Sequence, residues 1–204
     1  MISLVPLRLA GVLLAAWLLA GPCSAASVDV AVLGSDGKPL GDAAVFLESK
    51  EARAAVKPLP GIEVEQAAKQ FTHRVSVVPL GSEVSFPNRD KVRHHVYSFS
   101  PTKTFELKLY AGTPANPVLF DKPGVAVLGC NIHDNMVAWV VVVDTPYYGL
   151  SAAAGTVRLD NVPPGSYRLR TWHPGLPPGA PALDQALVVP PAGSTVSVTL
   201  APGR

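Results

Sequence analysis

The stretch Gly129-Cys130-Asn131-Ile132-His133-Asp134-Asn135-Met136 runs straight into Val137-Ala138-Trp139-Val140-Val141-Val142-Val143. An unbroken apolar run rich in β-branched residues reads as a strand buried in a sheet. The residues before it form a tight loop that carries a thiol, an imidazole and a thioether, each three positions after the last. All three are ligands for soft or borderline metals. A rigid sheet with a metal-binding loop at its mouth meets both demands. A further nitrogen or sulfur donor from a neighbouring strand would complete a mononuclear site.

The remaining sequence supplies more strands. Pro 21 and Gly 17 punctuate the chain, and almost no stretch has helical periodicity. Ser27 to Ser49 reads as a hairpin around Gly34-Ser35-Asp36-Gly37. Lys50 to Gly61 reads as a linker or irregular crossing, and Glu63 to Lys69 as either a short helical turn or a loop. From Phe71 to Asp144 about eight strands follow one another, separated by turn residues such as Pro79-Leu80-Gly81-Ser82, Asn88-Arg89-Asp90-Lys91 and Lys122-Pro123-Gly124. Further short strands run from Thr156 to Leu200. No repeat of useful period appears. The expected class is all-β, an antiparallel Greek-key β-sandwich. Apolar residues at 48% suffice for a core, and a net charge of +2 without like-charge runs argues against nucleic acid as the main partner.

Residues 1–26 read as a secretory signal peptide. Arg8 gives the charged start, Leu9 to Ala20 the apolar stretch, and Ser24-Ala25-Ala26 the small residues of a cleavage site. The apolar stretch is shorter than the roughly 20 residues of a membrane span, so a periplasmic protein without stable membrane insertion is expected. Cleavage removes Cys23 and Met1, leaving Cys130 and Met136 as the only sulfur side chains. A lone thiol in an oxidising compartment calls for something to hold it, and a metal does so.

The missing donor lies upstream, in Phe86-Pro87-Asn88-Arg89-Asp90-Lys91-Val92-Arg93-His94-His95-Val96-Tyr97. Two histidines are candidates. Strand alternation places His95 with Tyr97 and Phe99, and His94 with Val96 and Ser98, and favours His95 as the ligand; the spacing from Asn88 and Asp90 favours His94. Phe, Asn and Asp in a turn, then His, then Cys-x2-His-x2-Met, resembles the cupredoxins, and the short final loop looks most like that of amicyanin. The resemblance covers roughly Phe71 to Asp144. It implies one type 1 copper per chain, held by His94, Cys130 and His133 with Met136 as a weak axial ligand. It also implies an electron-transfer protein rather than an enzyme, working with redox partners such as a c-type cytochrome or a periplasmic dehydrogenase. In this chain His95 stands where the family usually has an Asn that ties the ligand loops together, and Asn131 replaces the usual Ser or Thr. The longer pattern, His-His-Val-Tyr-Ser-Phe-Ser with Trp172-His173-Pro174, is similar to exported cupredoxin-like proteins labelled for methylamine utilisation.

Only His73, His173 and one of the His94/His95 pair are left for any further site, too few for the extra histidine-rich centres of copper oxidases and nitrite reductases. His73 reads as an exposed strand residue, His173 as part of a structural corner, Asp134 as a solvated loop residue and Trp139 as core. An exported copper-delivery protein without an electron-transfer role is the alternative reading of the same ligands. Val28 to Ser49, Gly155 to Arg170 and Ala186 to Leu200 resemble a carboxypeptidase regulatory-like, transthyretin-type sandwich. The expected organisation is therefore residues 27–50 with 150–202 as a discontinuous second sandwich, and a copper domain at 63–146 inserted into it.

Overall fold

The computed structural model describes residues 26–201. Apart from its last residue, the segment read as a signal peptide lies outside the described residues. In chain order the first elements are β1 (Ala26–Gly34), β2 (Ala44–Glu48) and a short helix, α1 (Lys50–Ala55). Next come β3 (Ile62–Glu63), β4 (Gln66–Ala67), β5 (Gln70–Phe71), β6 (Val75–Pro79), β7 (Ser82–Ser85), β8 (His94–Ser100) and β9 (Lys103–Tyr110). They are followed by β10 (Val118–Phe120), β11 (Gly124–Cys130), β12 (Val137–Val143) and β13 (Tyr148–Leu150). The last are β14 (Thr156–Val162), β15 (Gly165–Trp172), β16 (Leu183–Val189) and β17 (Ser194–Leu200).

The all-β expectation holds, with two local differences. Lys50–Ala55 is a helix rather than an irregular crossing, because Ser49 caps it: its hydroxyl accepts the N–H of Ala52, and Glu51 sits in the first turn. Residues 63–69, undecided between helical turn and loop, instead lead into a two-stranded ribbon of β4 and β5.

Four larger sheets stack in layers. The first has the order β14-β1-β17 and the second β13-β2-β15-β16. Between them lies a core of Val28, Val30, Val32, Val45, Leu47, Leu159, Leu169 and their neighbours. The third sheet, β6-β12-β11-β8-β9, and the fourth, β10-β7-β3, enclose a second core around Phe86, Phe120, Leu128 and Val140. The second and third sheets meet across Ala44, Phe46 and Trp172 on one side and Val75, Val141 and Val143 on the other.

This layering explains the apolar runs. Along β12, Ala138, Val140 and Val142 enter the inner core, while Val141 and Val143 face the neighbouring sheet. Along β2, Val45 and Leu47 face one core while Ala44 and Phe46 face the junction. Strands buried on both faces lose polar alternation and become continuous apolar runs. The same fact corrects the hairpin read at 27–49: β1 and β2 do not pair but lie in facing sheets, β2 being flanked by β13 and β15. Nor is the pairing wholly antiparallel, since β1 with β17, β12 with β6, and β3 with β7 run parallel.

Phe120 is fully buried and its ring meets Phe105 edge-on at 6.2 Å. Phe120→Ala is expected to lower unfolding stability by about 3–5 kcal/mol, read from chemical denaturation of the purified chain.

Candidate metal centre

Two strand ends and one loop assemble the centre. His94 opens β8, Cys130 closes β11, and the two strands pair with Cys130 opposite Val96. His133 lies on the turn that carries the chain from Cys130 back into β12. Its carbonyl accepts the N–H of Met136, which closes the turn. The Nδ1 atoms of His94 and His133 each lie 3.7 Å from the Cys130 sulfur. The two imidazoles lie 5.0 Å apart between centroids, their planes tilted by 56°. One ligand atom from each of the three residues falls within a span of 4.8 Å. Cys130 is buried and unbridged, His94 is fully buried and His133 half-buried.

Of the two histidines, His94 lies beside the Cys130 sulfur and His95 does not. Alternation along β8 is as read from the sequence, but the buried face is that of His94, Val96 and Ser98. His95 points outward, where its Nε2 meets the Glu106 carboxylate at 2.8 Å. The inference drawn from alternation in favour of His95 is therefore overturned: Tyr97 and Phe99 mark the outer face of the sheet, Phe99 being 73% exposed.

Asp90 fixes the ring of His94. Its Oδ2 lies 2.8 Å from His94 Nε2 and also accepts the N–H of Lys69 at 2.9 Å; its Oδ1 accepts the N–H of Ala68 at 2.8 Å. Holding Nε2–H on a carboxylate leaves Nδ1, the nitrogen facing Cys130, as the basic one, which is the arrangement a metal-binding histidine uses. Burial pushes the Asp90 carboxyl up, and the hydrogen bonds from His94, Lys69 and Ala68 outweigh that, leaving it below its ordinary value. Asp90 entered the sequence reading only as a spacing marker. Its position four residues before a ligand histidine, in an Asn-x-Asp turn, was the available signal.

Asn88 braces this turn. Its side-chain carbonyl accepts the N–H of Asp90, and its amide donates to the carbonyls of Val92 and Tyr110. Behind it Tyr110 donates to Gln66 Oε1 at 2.6 Å, and burial drives its phenol far above the usual range. The backbone ties the two ligand-bearing segments together: Asn131 N–H donates to the His95 carbonyl at 3.2 Å. Gly129 lies beneath the Tyr97 ring, where a Cβ would approach to 2.8 Å, so Tyr97 closes directly over the residue before Cys130.

Met136 is 1% exposed and packs in the same core as Cys130, Phe86 and Phe120. Of the other residues weighed from sequence, His73 and Asp134 are exposed. His173 is buried with its Nδ1 accepting the Gly175 N–H, a corner as expected. Trp139 is half-buried at the junction of the second and third sheets.

A buried thiol and two imidazole nitrogens, one of them oriented by a carboxylate, form a donor set that can hold one copper ion. Residues 62–143 form a β-sandwich that carries all three of these residues. No protein-family model matches the chain, and no curated protein matches it. Among solved structures the chain is similar to a mutant of amicyanin in its reduced Cu(I) form at pH 4, with 23% identity over 48% of this chain and 98% of that one, at a TM-score of 0.36. It is also similar to a purple cupredoxin from Nitrosopumilus maritimus, with 20% identity over 41% and 100% of the two chains, at a TM-score of 0.35.

Proposed function

We propose that the protein is an exported type 1 copper protein that carries single electrons between larger redox proteins, such as a c-type cytochrome or a periplasmic dehydrogenase. The observation that carries this reading is the convergence of both Nδ1 atoms on the Cys130 sulfur at 3.7 Å, with the far nitrogen of His94 already engaged by Asp90. Copper bound there would supply one-electron chemistry.

The chain's own part is to limit rearrangement. Cys130 and His94 stand on paired strands of one sheet, and His94 is locked by Asp90. Met136, buried in the same core as Cys130, would offer its thioether as a further, weaker donor to copper. His133 is the least buried of the three nitrogen and sulfur ligands, so it is the one that presents an edge to a partner. No helix among the described residues is long and apolar enough to cross a membrane.

The test is to load the purified protein with copper and record its visible spectrum and voltammetry. An intense thiolate-to-copper band with fast, reversible one-electron behaviour is expected. A chain that gives up copper readily to a chelator, with sluggish electron exchange, is a delivery protein instead.

A further inference from the structure

Beside the metal loop is a hollow of about 350 Å³ that the copper ligands do not use, lined by Gln70, Phe71, Arg74, Asn135, Val137 and Trp139. Its size falls at the small end of sites that take small molecules. The Arg74 guanidinium lies over the Trp139 ring, 5.3 Å from its centre. Trp139 packs at 6.4 Å against Trp172 of the neighbouring sheet, which holds the ring in place. Stacking engages the flat face of a guanidinium and leaves its N–H edges free.

Among the described residues no carboxylate pairs with those edges. Arg53, Arg89, Arg158, Arg168 and Arg170 each pair with an Asp or Glu. Among the described residues Arg74 has no such partner, and unlike the equally unpaired Arg93 it lines a hollow. Its charge is felt at His173, whose pKa is pushed down by burial first and by Arg74 next. Gln70 and Asn135, residues with amide donors, also line it, together with the apolar Phe71, Val137 and Trp139.

We infer that this hollow binds a small organic anion, a carboxylate carried on an apolar or aromatic body. The Arg74 fork takes the carboxylate in the bidentate manner to which its geometry is suited. The aromatic and aliphatic walls take the body. Asn135 lies between His133 and Met136 in sequence, so an occupant touches the metal loop itself. The site does not depend on the proposed electron-carrier role.

The full chain, with and without copper, is titrated with benzoate, acetate, inorganic phosphate and benzylamine by calorimetry and tryptophan fluorescence. Benzoate is expected to bind saturably and perturb the emission, acetate to bind more weakly, and benzylamine not to bind. Arg74→Gln is expected to weaken benzoate about tenfold or more, the loss of a charge-assisted pair. Arg74→Lys, which keeps the charge without the fork, recovers part of it, and Arg93→Gln changes nothing. No saturable response, wild-type affinity in Arg74→Gln, or binding of benzylamine equal to benzoate overturns the site. Phosphate binding as tightly as benzoate overturns the assignment of an apolar body. Because the copper-free chain gives the same readout, a failure here is separate from a failure of the copper reading.

Discussion

Cys130→Ser is expected to abolish the intense visible absorption of the copper-loaded protein and to weaken copper binding by more than about 100-fold. Losing a group that merely supports a ligand typically costs about 10- to 100-fold, and Cys130 is proposed as a ligand itself. Its sulfur is the point on which both imidazoles converge, and a hydroxyl at that position is neither soft nor readily ionised. Because Cys130 is 5% exposed and serine is slightly smaller, the core around it should persist. Circular dichroism of the variant checks that the fold is kept. A serine variant that retains the band would place the chromophore elsewhere.

Asp90→Asn is the second large effect. The carboxylate receives three donors, His94 Nε2–H and the backbone N–H groups of Ala68 and Lys69. An amide of the same shape has one acceptor oxygen, and its NH₂ must then face a donor. Ala68 and Lys69 sit at φ 52° and 60°, in the left-handed region that residues other than glycine adopt at a cost, so the carboxylate also caps a strained turn. Copper affinity is expected to fall about 10- to 100-fold, as for other partners that orient a ligand histidine. The reduction potential is expected to rise, because a negative charge that favours the more positive oxidised ion is removed. Competition with a chelator and voltammetry read the two quantities. Wild-type values in both would mean that His94 holds its orientation without Asp90.

Much of this was legible in the residues. The thiol, imidazole and thioether at three-residue spacing marked the loop, and turn residues at regular spacing marked the strands. The apolar run 137–143 marked a buried strand, although the second layer behind it was not evident. The failures share a cause. The hairpin at 27–49 looked self-contained because turn chemistry is local, whereas the partners of β1 are β14 and β17, more than a hundred residues away. The helix at Lys50–Ala55 is short, and its cap, Ser49, is a single polar residue in a polar stretch. The parity argument for His95 failed because alternation tells which residues share a face and not which face is inside.

What the sequence determined by itself was the inventory and its period: all-β elements, the loop that carries Cys130, His133 and Met136, and a pair of histidines one of which had to join them. Those follow from covalent spacing and side-chain chemistry, which do not depend on the rest of the chain. The tertiary structure alone decided which histidine faces the sulfur, that Asp90 holds it from behind, and that the Arg74 guanidinium lies over Trp139. Each of those depends on which strands pair and which sheet covers which face, and that is settled by burial across residues far apart in the chain.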